Sequence, residues 1–299
     1  MSAPWTHSHD CTLSASPERV FAALTVPDEL RRWFAEDVEI DAKPGGAYRF
    51  WGRHTYGLPD RAAATQRITT IDAPRSLGYS WTIEHTASEV TLSLRPDDKD
   101  PSRTKVSVQH TFPTRLAVPY SDELVDDLWR LTLGNLEAHL RGGDGIVLPD
   151  FGNPSQEIRL SIVIDAPRSR VFRALVEPQA LNRWIATAAE VEPRIGGRYT
   201  YAWKYAHAGK QVEGGPTTIL DLVENERVVT DWTDWRGDTT RPPTRLAWML
   251  EDAGTGTKVT LVHGGFSRTV DQGDYGFGWW YFLERLKAMN EDAPKPVLG

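Results

Sequence analysis

Two histidines lie at equivalent places on apolar predicted strands, one near the end of each half of the chain. His263 shares a strand face with the apolar residues two and four positions before it, and His110 has the same setting. Imidazole titrates near neutral pH, so either histidine could transfer a proton or hydrogen-bond a ligand carbonyl. A histidine on an apolar face is also common as a core residue. If the protein is an enzyme, the catalytic candidates are His263 and Asp234, which shares the face of Trp232.

A second group of potential ligands lies near the N-terminus, in the segment His7-Ser8-His9-Asp10-Cys11. The side chains of His7, His9 and Cys11 would share one face of an extended segment, and imidazole and thiolate both bind zinc. No fourth ligand can be identified, so the sequence predicts no metal site. No cofactor is predicted either, since the chain lacks a nucleophile elbow, a phosphate-binding loop and a dinucleotide fingerprint.

Aromatic residues provide the main indication of a ligand site. After Gly196-Gly197, aromatic side chains alternate from Tyr199 to Tyr205, so they line one face of a predicted strand. Such a face suits either a packed core or an apolar cavity with a few polar tips. The candidate ligand-binding residues are Tyr199, Tyr201, Trp203, Tyr205, Trp232, Trp248, His263 and Trp279 in the second half and Tyr48, Phe50, Trp81, His110 and Trp129 in the first. The second half is the better equipped of the two.

The candidates recur because the chain contains an internal duplication. The segment 15–21 aligns with 166–172, and the same offset relates Trp33 to Trp184 and the Gly45-Gly46 pair to Gly196-Gly197. We therefore predict two domains, 1–141 and 157–299, joined by a linker at 142–156 that is rich in turn residues.

Each repeat shows the same order of predicted elements. A short strand is followed by two small helices that begin near prolines, then by a run of strands, and finally by a long amphipathic helix near 120–141 or 275–290. This order indicates an α+β fold in which a curved antiparallel sheet wraps around the closing helix. The space between the sheet and that helix is the expected place for a pocket.

The motif residues resemble a known superfamily. The pattern Ala166-Pro167-x-x-x-Val171-Phe172-x-Ala174-Leu175, followed by Pro178-x-x-Leu181-x-x-Trp184 and Gly196-Gly197-x-Tyr199-x-Tyr201, is similar to SRPBCC, or START-like, proteins. Within that superfamily it resembles the Aha-like branch, named after the activator of the heat-shock protein 90 ATPase. The resemblance implies two tandem helix-grip domains. It also implies a cavity of the kind in which relatives bind hydrophobic molecules or catalyse cyclisation and aromatisation.

Composition excludes several other classes of protein. The net charge of −7 and the absence of a Lys/Arg run argue against nucleic-acid binding. A single cysteine fits a reducing cytoplasm, and neither a signal peptide nor a membrane-spanning apolar run is visible. We therefore expect a cytoplasmic protein with a small hydrophobic molecule as partner and no membrane or nucleic-acid partner. The two repeats could pair as an intramolecular pseudo-dimer, or the chain could form a homodimer.

Three functions remain open at this point. The main hypothesis is binding of a small hydrophobic, aromatic or polycyclic, ligand between sheet and closing helix, mainly in the second domain. The first alternative is a cyclase or aromatase acting on a polyketide-like or other hydrophobic substrate. The second is a co-chaperone-like stress protein, which rests on the family name alone.

Overall fold

The computed structural model describes residues 3–118, 121–153, 157–207, 210–234, 241–267 and 271–292. For residues 205–207, 210, 271–274 and 277 only the backbone is described. The chain forms two compact units, one built mainly from residues up to 154 and the other mainly from the residues that follow. Each unit is an α+β domain, as the sequence predicts, and each is described separately below.

The first domain begins with a strand and two short helices and ends with a long helix. Its elements are β1 (Trp5–Leu13), α1 (Pro17–Thr25), α2 (Pro27–Trp33), β2 (Asp37–Ile40), β3 (Tyr48–Trp51), β4 (Ile68–Asp72), β5 (Ser76–Ile83), β6 (Thr86–Pro96), β7 (Thr104–Phe112) and α3 (Ser121–Leu140). The main antiparallel sheet has the order β1-β7-β6-β5-β4, and β2 and β3 form a separate hairpin.

The two small helices begin where the sequence places their start signals. The Ser16 side chain caps α1 by accepting a hydrogen bond from the Arg19 backbone N–H, and Pro17 occupies the first turn, where no N–H is needed. Pro27 begins α2 in the same way. Trp33, at the end of α2, donates its Nε1–H to the carbonyl of Ala23 over 3.2 Å, which fastens the two helices together.

The long helix α3 buries most of its surface. The predicted apolar stripe is buried at Leu124, Leu128 and Leu136, and Trp129 beside it is 1% exposed. Polar side chains of α3 are also buried, because they reach partners on other elements. Glu137 accepts a hydrogen bond from the Ser14 backbone N–H over 2.8 Å.

The second domain repeats this plan. Its elements are β8 (Ile158–Ile164), α4 (Arg168–Val176), α5 (Pro178–Trp184), β9 (Glu190–Val191), β10 (Tyr199–Thr200), β11 (Trp203–His207), β12 (Lys210–Gly214), β13 (Ile219–Val223), β14 (Arg227–Trp232), β15 (Thr244–Ala253), β16 (Gly256–Gly264) and α6 (Asp271–Asn290). The main sheet has the order β13-β14-β15-β16-β8. Strand by strand, this is the order of the first sheet, which confirms two tandem domains of one fold.

Equivalent side chains make equivalent contacts in the two domains. The Tyr48 hydroxyl donates to the Leu24 carbonyl over 2.7 Å, and the Tyr199 hydroxyl donates to the Leu175 carbonyl over 2.6 Å. The paired glycines are required by geometry, since a Cβ atom on Gly197 would lie 2.2 Å from the Glu192 carbonyl oxygen. The repeat is therefore preserved at the level of individual hydrogen bonds.

The predicted strand that carries the aromatic residues from Tyr199 to Tyr205 differs from the observed structure. It is divided into β10 and β11 at Ala202, whose φ of +54° lies in the left-handed region. β11 pairs with β12 in a hairpin that has no counterpart among the described elements of the first domain. Strict alternation in the sequence cannot reveal one residue with positive φ, so the break was missed.

Residues 142–153, the described part of the predicted linker, lie against the first unit. The Asn135 side chain bonds both the N–H and the carbonyl of Val147, over 2.8 and 2.7 Å. The Phe151 N–H donates to the Arg53 carbonyl over 2.9 Å. This part of the chain is thus fastened at two points to the domain that precedes it. The linker as a separate segment stays a prediction.

Candidate functional site

A hydrogen-bonded chain runs through the interior of the second domain and includes the predicted pocket histidine. Trp279, on α6, donates its Nε1–H to Nδ1 of His263 over 2.9 Å. Nε2 of His263 lies 2.7 Å from the Thr244 hydroxyl, which is also 3.3 Å from the Trp232 carbonyl oxygen. One imidazole therefore joins the closing helix α6 to β16 and, through the Thr244 hydroxyl, to β15 and β14.

The first domain contains the same chain of contacts. Trp129 donates its Nε1–H to Nδ1 of His110 over 3.2 Å, and Nε2 of His110 lies 2.7 Å from the Ser88 hydroxyl. That hydroxyl donates to the Trp81 carbonyl over 3.0 Å. Serine in one domain and threonine in the other provide the same hydroxyl group, a correspondence that the sequence comparison did not detect.

These contacts determine the protonation of both histidines. Because each Nδ1 accepts an indole N–H, the proton of the neutral ring must be on Nε2, from which it is donated to the hydroxyl. Both rings are 0% exposed, and burial lowers the pKa of His263 to about 3 and that of His110 to about 3. At neutral pH both imidazoles are therefore uncharged, and both nitrogens of each ring are hydrogen-bonded.

Aromatic rings fill the space around His263. Trp279 contacts Trp232 with 4.7 Å between ring centroids and Trp248 with 6.0 Å. Trp203 stacks on Phe282 at 5.3 Å, and its Nε1 donates to the Ile185 carbonyl over 2.7 Å. Most of the predicted aromatic set thus meets in one cluster between sheet and helix. Tyr205 lies outside the residues whose side chains are described.

Three polar atoms in this interior are buried and, among the residues that the structure describes, have no hydrogen-bond partner. They are the hydroxyls of Tyr201 and Thr230 and the Nε1 of Trp248. Burial raises the pKa of Tyr201; Tyr199 and Trp248 are close enough to oppose that rise slightly, but neither forms a hydrogen bond of acceptable geometry with the hydroxyl. Such atoms cost stability unless water or a ligand pairs with them.

The first domain has less polar residues at two of these three positions. The constant offset of the repeat places Phe50 where the second domain has Tyr201. Leu92 occupies the position of Trp248, because Leu92 faces Val108 in the first sheet as Trp248 faces Leu261 in the second. Thr230 corresponds to Tyr79, since Thr230 faces Leu246 as Tyr79 faces Val90. The unpaired hydroxyl of Tyr201 and the unpaired Nε1–H of Trp248 therefore have no counterpart at the equivalent positions of the first domain, and the fold does not require them.

Two small voids lie among the described residues inside the first domain. One void of about 20 Å³ lies between α3 and the loop around His54, with Trp81, Thr132 and Val147 in its wall. A second void, beneath Trp33 and Tyr48, measures about 10 Å³. The larger one has room for about one water molecule, which could pair with the buried Nε1 of Trp81. Tyr48, Phe50, Trp81 and Trp129 otherwise pack against one another or their neighbours.

A larger space, of about 520 Å³, is an open groove on the second domain. It lies between α4 and the turn from β13 to β14, and its walls are Ser169, Phe172, Arg173, Val176, Pro193, Leu222, Glu224 and Asn225. Sequence reasoning did not find it, because these residues follow no shared periodicity. Its lining mixes charged and apolar side chains, and none of the predicted site residues lies in it.

The structure rearranges the N-terminal group of ligands. His7 and His9 lie on β1 and face α3, where Asp126 has one carboxylate oxygen 3.7 Å from His7 Nε2 and 3.7 Å from His9 Nδ1. Potential ligand atoms of these three residues lie within 4.8 Å of one another. Cys11 does not belong to this group, and burial raises the pKa of its thiol to about 12. Asp126 was missed because it lies more than a hundred residues further along the chain.

The remaining candidate, Asp234, is half-buried and follows Trp232 by two residues. Asp231, three residues before it, accepts hydrogen bonds from the backbone N–H groups of Thr217 and Thr218 over 2.7 and 2.8 Å. The catalytic role of Asp234 with His263 stays a prediction.

In the part of the chain that the structure describes, no helix is long and apolar enough to cross a membrane.

Comparison with known families agrees with this fold. The chain matches the model of the family described as activator of Hsp90 ATPase homolog 1-like protein, over residues 14–141 and again over 165–291. The protein therefore belongs to this family, with two tandem copies of its domain. No curated protein gives a significant match.

Several solved structures are similar to the chain. DynU16, a putative protein in the dynemicin biosynthetic locus, is 14% identical with a TM-score of 0.39, over 96% of this chain and 98% of its own. BexL, a di-domain ARO/CYC protein from the BE-7585A biosynthetic pathway, is 14% identical with a TM-score of 0.37, over 98% and 100%. The Aha1 dimer from Colwellia psychrerythraea is 21% identical with a TM-score of 0.36, over 46% and 96%. At these values the similarities carry no information about ligand or activity.

Proposed function

We propose that the protein binds a small, mainly apolar, aromatic molecule inside its second domain, between the sheet and α6. The observation that supports this proposal is the group of unpaired buried atoms formed by Tyr201, Thr230 and Trp248. A ligand that pairs with them would repay a cost that the free protein bears, which is typically about 1–3 kcal/mol for each buried unpaired group.

The chemistry of these atoms defines the ligand more closely. An indole N–H can only donate, so the ligand must present an acceptor to Trp248, such as a carbonyl, ether or hydroxyl oxygen. The hydroxyls of Tyr201 and Thr230 can donate or accept. The rings of Trp232 and Trp279 offer faces for stacking, so an aromatic body with one or two oxygen substituents fits the set.

Binding has to separate side chains that now touch. Trp232 and Trp279 lie 4.7 Å apart between centroids, and Tyr201 and Trp232 lie 6.2 Å apart. The work of opening this cluster reduces the observed affinity, because a ligand binds only the open form. We therefore expect affinity to depend on how completely the ligand replaces the ring contacts that it breaks.

The alternatives receive less support. A cyclase or aromatase would use His263 to move protons, but this imidazole is neutral, and both of its nitrogens already have partners within the protein. A co-chaperone function rests on the family name, and none of the contacts described above indicates it. Turnover of a bound compound would favour the first alternative over simple binding.

The test is a titration of the full chain with aromatic compounds that differ in their oxygen substituents, followed by tryptophan fluorescence and calorimetry. Tyr201→Phe and Thr230→Val should each weaken binding about tenfold, which corresponds to roughly 1.4 kcal/mol. Tyr48→Phe, a buried tyrosine of the first domain, serves as the matched control and should leave affinity unchanged. Binding that both second-domain variants retain in full would place the site elsewhere, and failure of every compound to bind would refute the proposal.

A further inference from the structure

The edge strand and the long helix of the first domain bring two imidazoles and a carboxylate together. His7 and His9 alternate on β1, so both project from the face of the sheet that α3 covers. Asp126, on α3, lies opposite them, with one oxygen 3.7 Å from a nitrogen of each ring. We propose that His7, His9 and Asp126 bind one divalent transition-metal ion such as zinc.

The distances fit such an ion after small side-chain movements. Zinc binds imidazole nitrogen and carboxylate oxygen at about 2.0–2.2 Å, so tetrahedral ligand atoms lie about 3.3 Å apart. Here each histidine nitrogen is 3.7 Å from the carboxylate oxygen, and all three ligand atoms lie within 4.8 Å of one another. The carboxylate oxygen must approach each nitrogen by about 0.4 Å, the difference between 3.7 and about 3.3 Å, and no pair of ligand atoms needs to approach by more than about 1.5 Å, the difference between 4.8 and about 3.3 Å. Side-chain rotation can supply movements of this size.

An unpaired atom supports the assignment independently. Nε2 of His7 is buried and has no hydrogen-bond partner among the described residues, although it points at Asp126. A buried nitrogen that neither donates nor accepts a hydrogen bond costs stability, and coordination to a metal ion would satisfy it.

The second domain shows that the fold does not need these residues. Ile158 faces His263 in the second sheet as His7 faces His110 in the first. Leu160 likewise occupies the position of His9, because Leu160 faces Leu261 in the second sheet as His9 faces Val108 in the first. One copy of the repeat thus has two apolar residues where the other has two imidazoles. The exchange is unfavourable for packing alone, because polar rings replace aliphatic side chains beneath a helix.

The donor set indicates the class of metal. Two imidazoles and one carboxylate suit zinc and its neighbours in the first transition series, whereas calcium and magnesium prefer oxygen alone. The side chain of Asp126 is 32% exposed, so solvent can reach the ion and fill the remaining coordination position. The negative charges of Asp126 and the nearby Asp122 favour a cation, and Arg130 opposes it.

The metal would fasten β1 to α3, so binding should stabilise the first domain as well as being directly observable. The test uses the full chain freed of metal with a chelator, then titrated with zinc in a calorimeter and with cobalt(II) in the visible spectrum. We expect one equivalent of zinc to bind, a rise in the unfolding temperature, and cobalt absorption bands typical of nitrogen and oxygen ligands.

Two ligand variants and one control separate this site from other histidines. Asp126→Asn should weaken zinc binding at least about 100-fold, since losing a residue that only orients a metal ligand already costs about 10–100-fold. The double variant His7→Ile, His9→Leu copies the second domain and should abolish binding. His85→Asn, at an exposed turn, should bind as the wild type does.

The outcomes are distinct from those of the ligand-binding test, since no aromatic compound is involved. Wild-type protein that fails to bind zinc would overturn the inference, and so would variants that bind it undiminished. If the double variant does not fold, Asp126→Asn still decides the question, because its partly exposed side chain can be exchanged without disturbing the core.

Discussion

Tyr201→Phe should stabilise the protein in the absence of ligand, although most substitutions of buried residues destabilise. The Tyr201 ring is 0% exposed, and its hydroxyl has no hydrogen-bond partner among the described residues. Removing that oxygen keeps the ring and its contacts and removes the cost of burying an unpaired polar group. The first domain already has phenylalanine, Phe50, at the equivalent position.

The magnitude follows from the cost of an unpaired buried group, about 1–3 kcal/mol. We expect a gain at the lower end of this range, about 1 kcal/mol in the free energy of unfolding. The matched control is Tyr199→Phe, which loses a hydrogen bond of 2.6 Å to the Leu175 carbonyl. It should destabilise by about 1–2 kcal/mol, because a buried carbonyl then lacks its partner.

The assay is urea unfolding of both variants beside the wild type, monitored by circular dichroism and by tryptophan fluorescence. The two tyrosines lie two residues apart and lose the same atom, so the comparison isolates the hydrogen bond. Opposite signs support the reasoning. Equal destabilisation by both variants would refute it, since it would show that the Tyr201 hydroxyl is paired in the folded protein.

Three further predictions concern other buried groups. The pKa of His263 is about 3 in the folded protein and about 6.5 in the unfolded protein, so the unfolded state binds more protons at acidic pH and the folded protein loses stability as the pH decreases below 6.5. His263→Gln should therefore reduce the loss of unfolding free energy between pH 7 and pH 5 by about 2 kcal/mol in urea titrations. An unchanged pH dependence would contradict this. Thr244→Val should destabilise by about 1–3 kcal/mol in the same assay, because it removes the hydroxyl that lies 2.7 Å from Nε2 of His263. Thr244→Ser, which copies Ser88 of the first domain, should restore most of the loss, and equal stability of both variants would show that the hydroxyl is dispensable. Cys11, whose thiol pKa is raised to about 12, should react with a thiol reagent at pH 8 far more slowly in the folded protein than in denaturant, and equal rates would show that the thiol is accessible.

Much of the fold could be predicted because the chain repeats itself. The helix starts at Pro17 and Pro27, the paired glycines and the closing helices could all be predicted, because each of these sequence patterns occurs in both repeats. The break at Ala202 and the additional hairpin could not be predicted, because the alternation of side chains does not reveal a single residue in the left-handed region. The contact of residues 142–153 with Asn135 could not be predicted either, since a segment rich in turn residues shows no periodicity from which its contacts can be inferred.

The candidate site could be predicted only in outline. Alternation identified the faces of His263 and Trp232, and the structure brings both into one aromatic cluster. The hydroxyl partners of the two histidines were missed, because they lie on neighbouring strands about twenty residues away in the chain. Whether a buried polar atom has a partner depends on packing to within an ångström, and no sequence pattern records it. The same is true of Asp126, which only the approach of α3 to β1 places beside His7.

The most direct test of ligand binding in the second domain is the indole N–H signal of Trp248 in ¹⁵N-labelled protein, assigned with Trp248→Phe. On addition of an oxygen-bearing aromatic compound, this signal should shift in a saturable manner as the N–H gains an acceptor. The indole N–H signal of Trp33, which donates to the Ala23 carbonyl in the first domain, should not shift. A compound that binds and leaves the Trp248 signal unchanged would contradict the account.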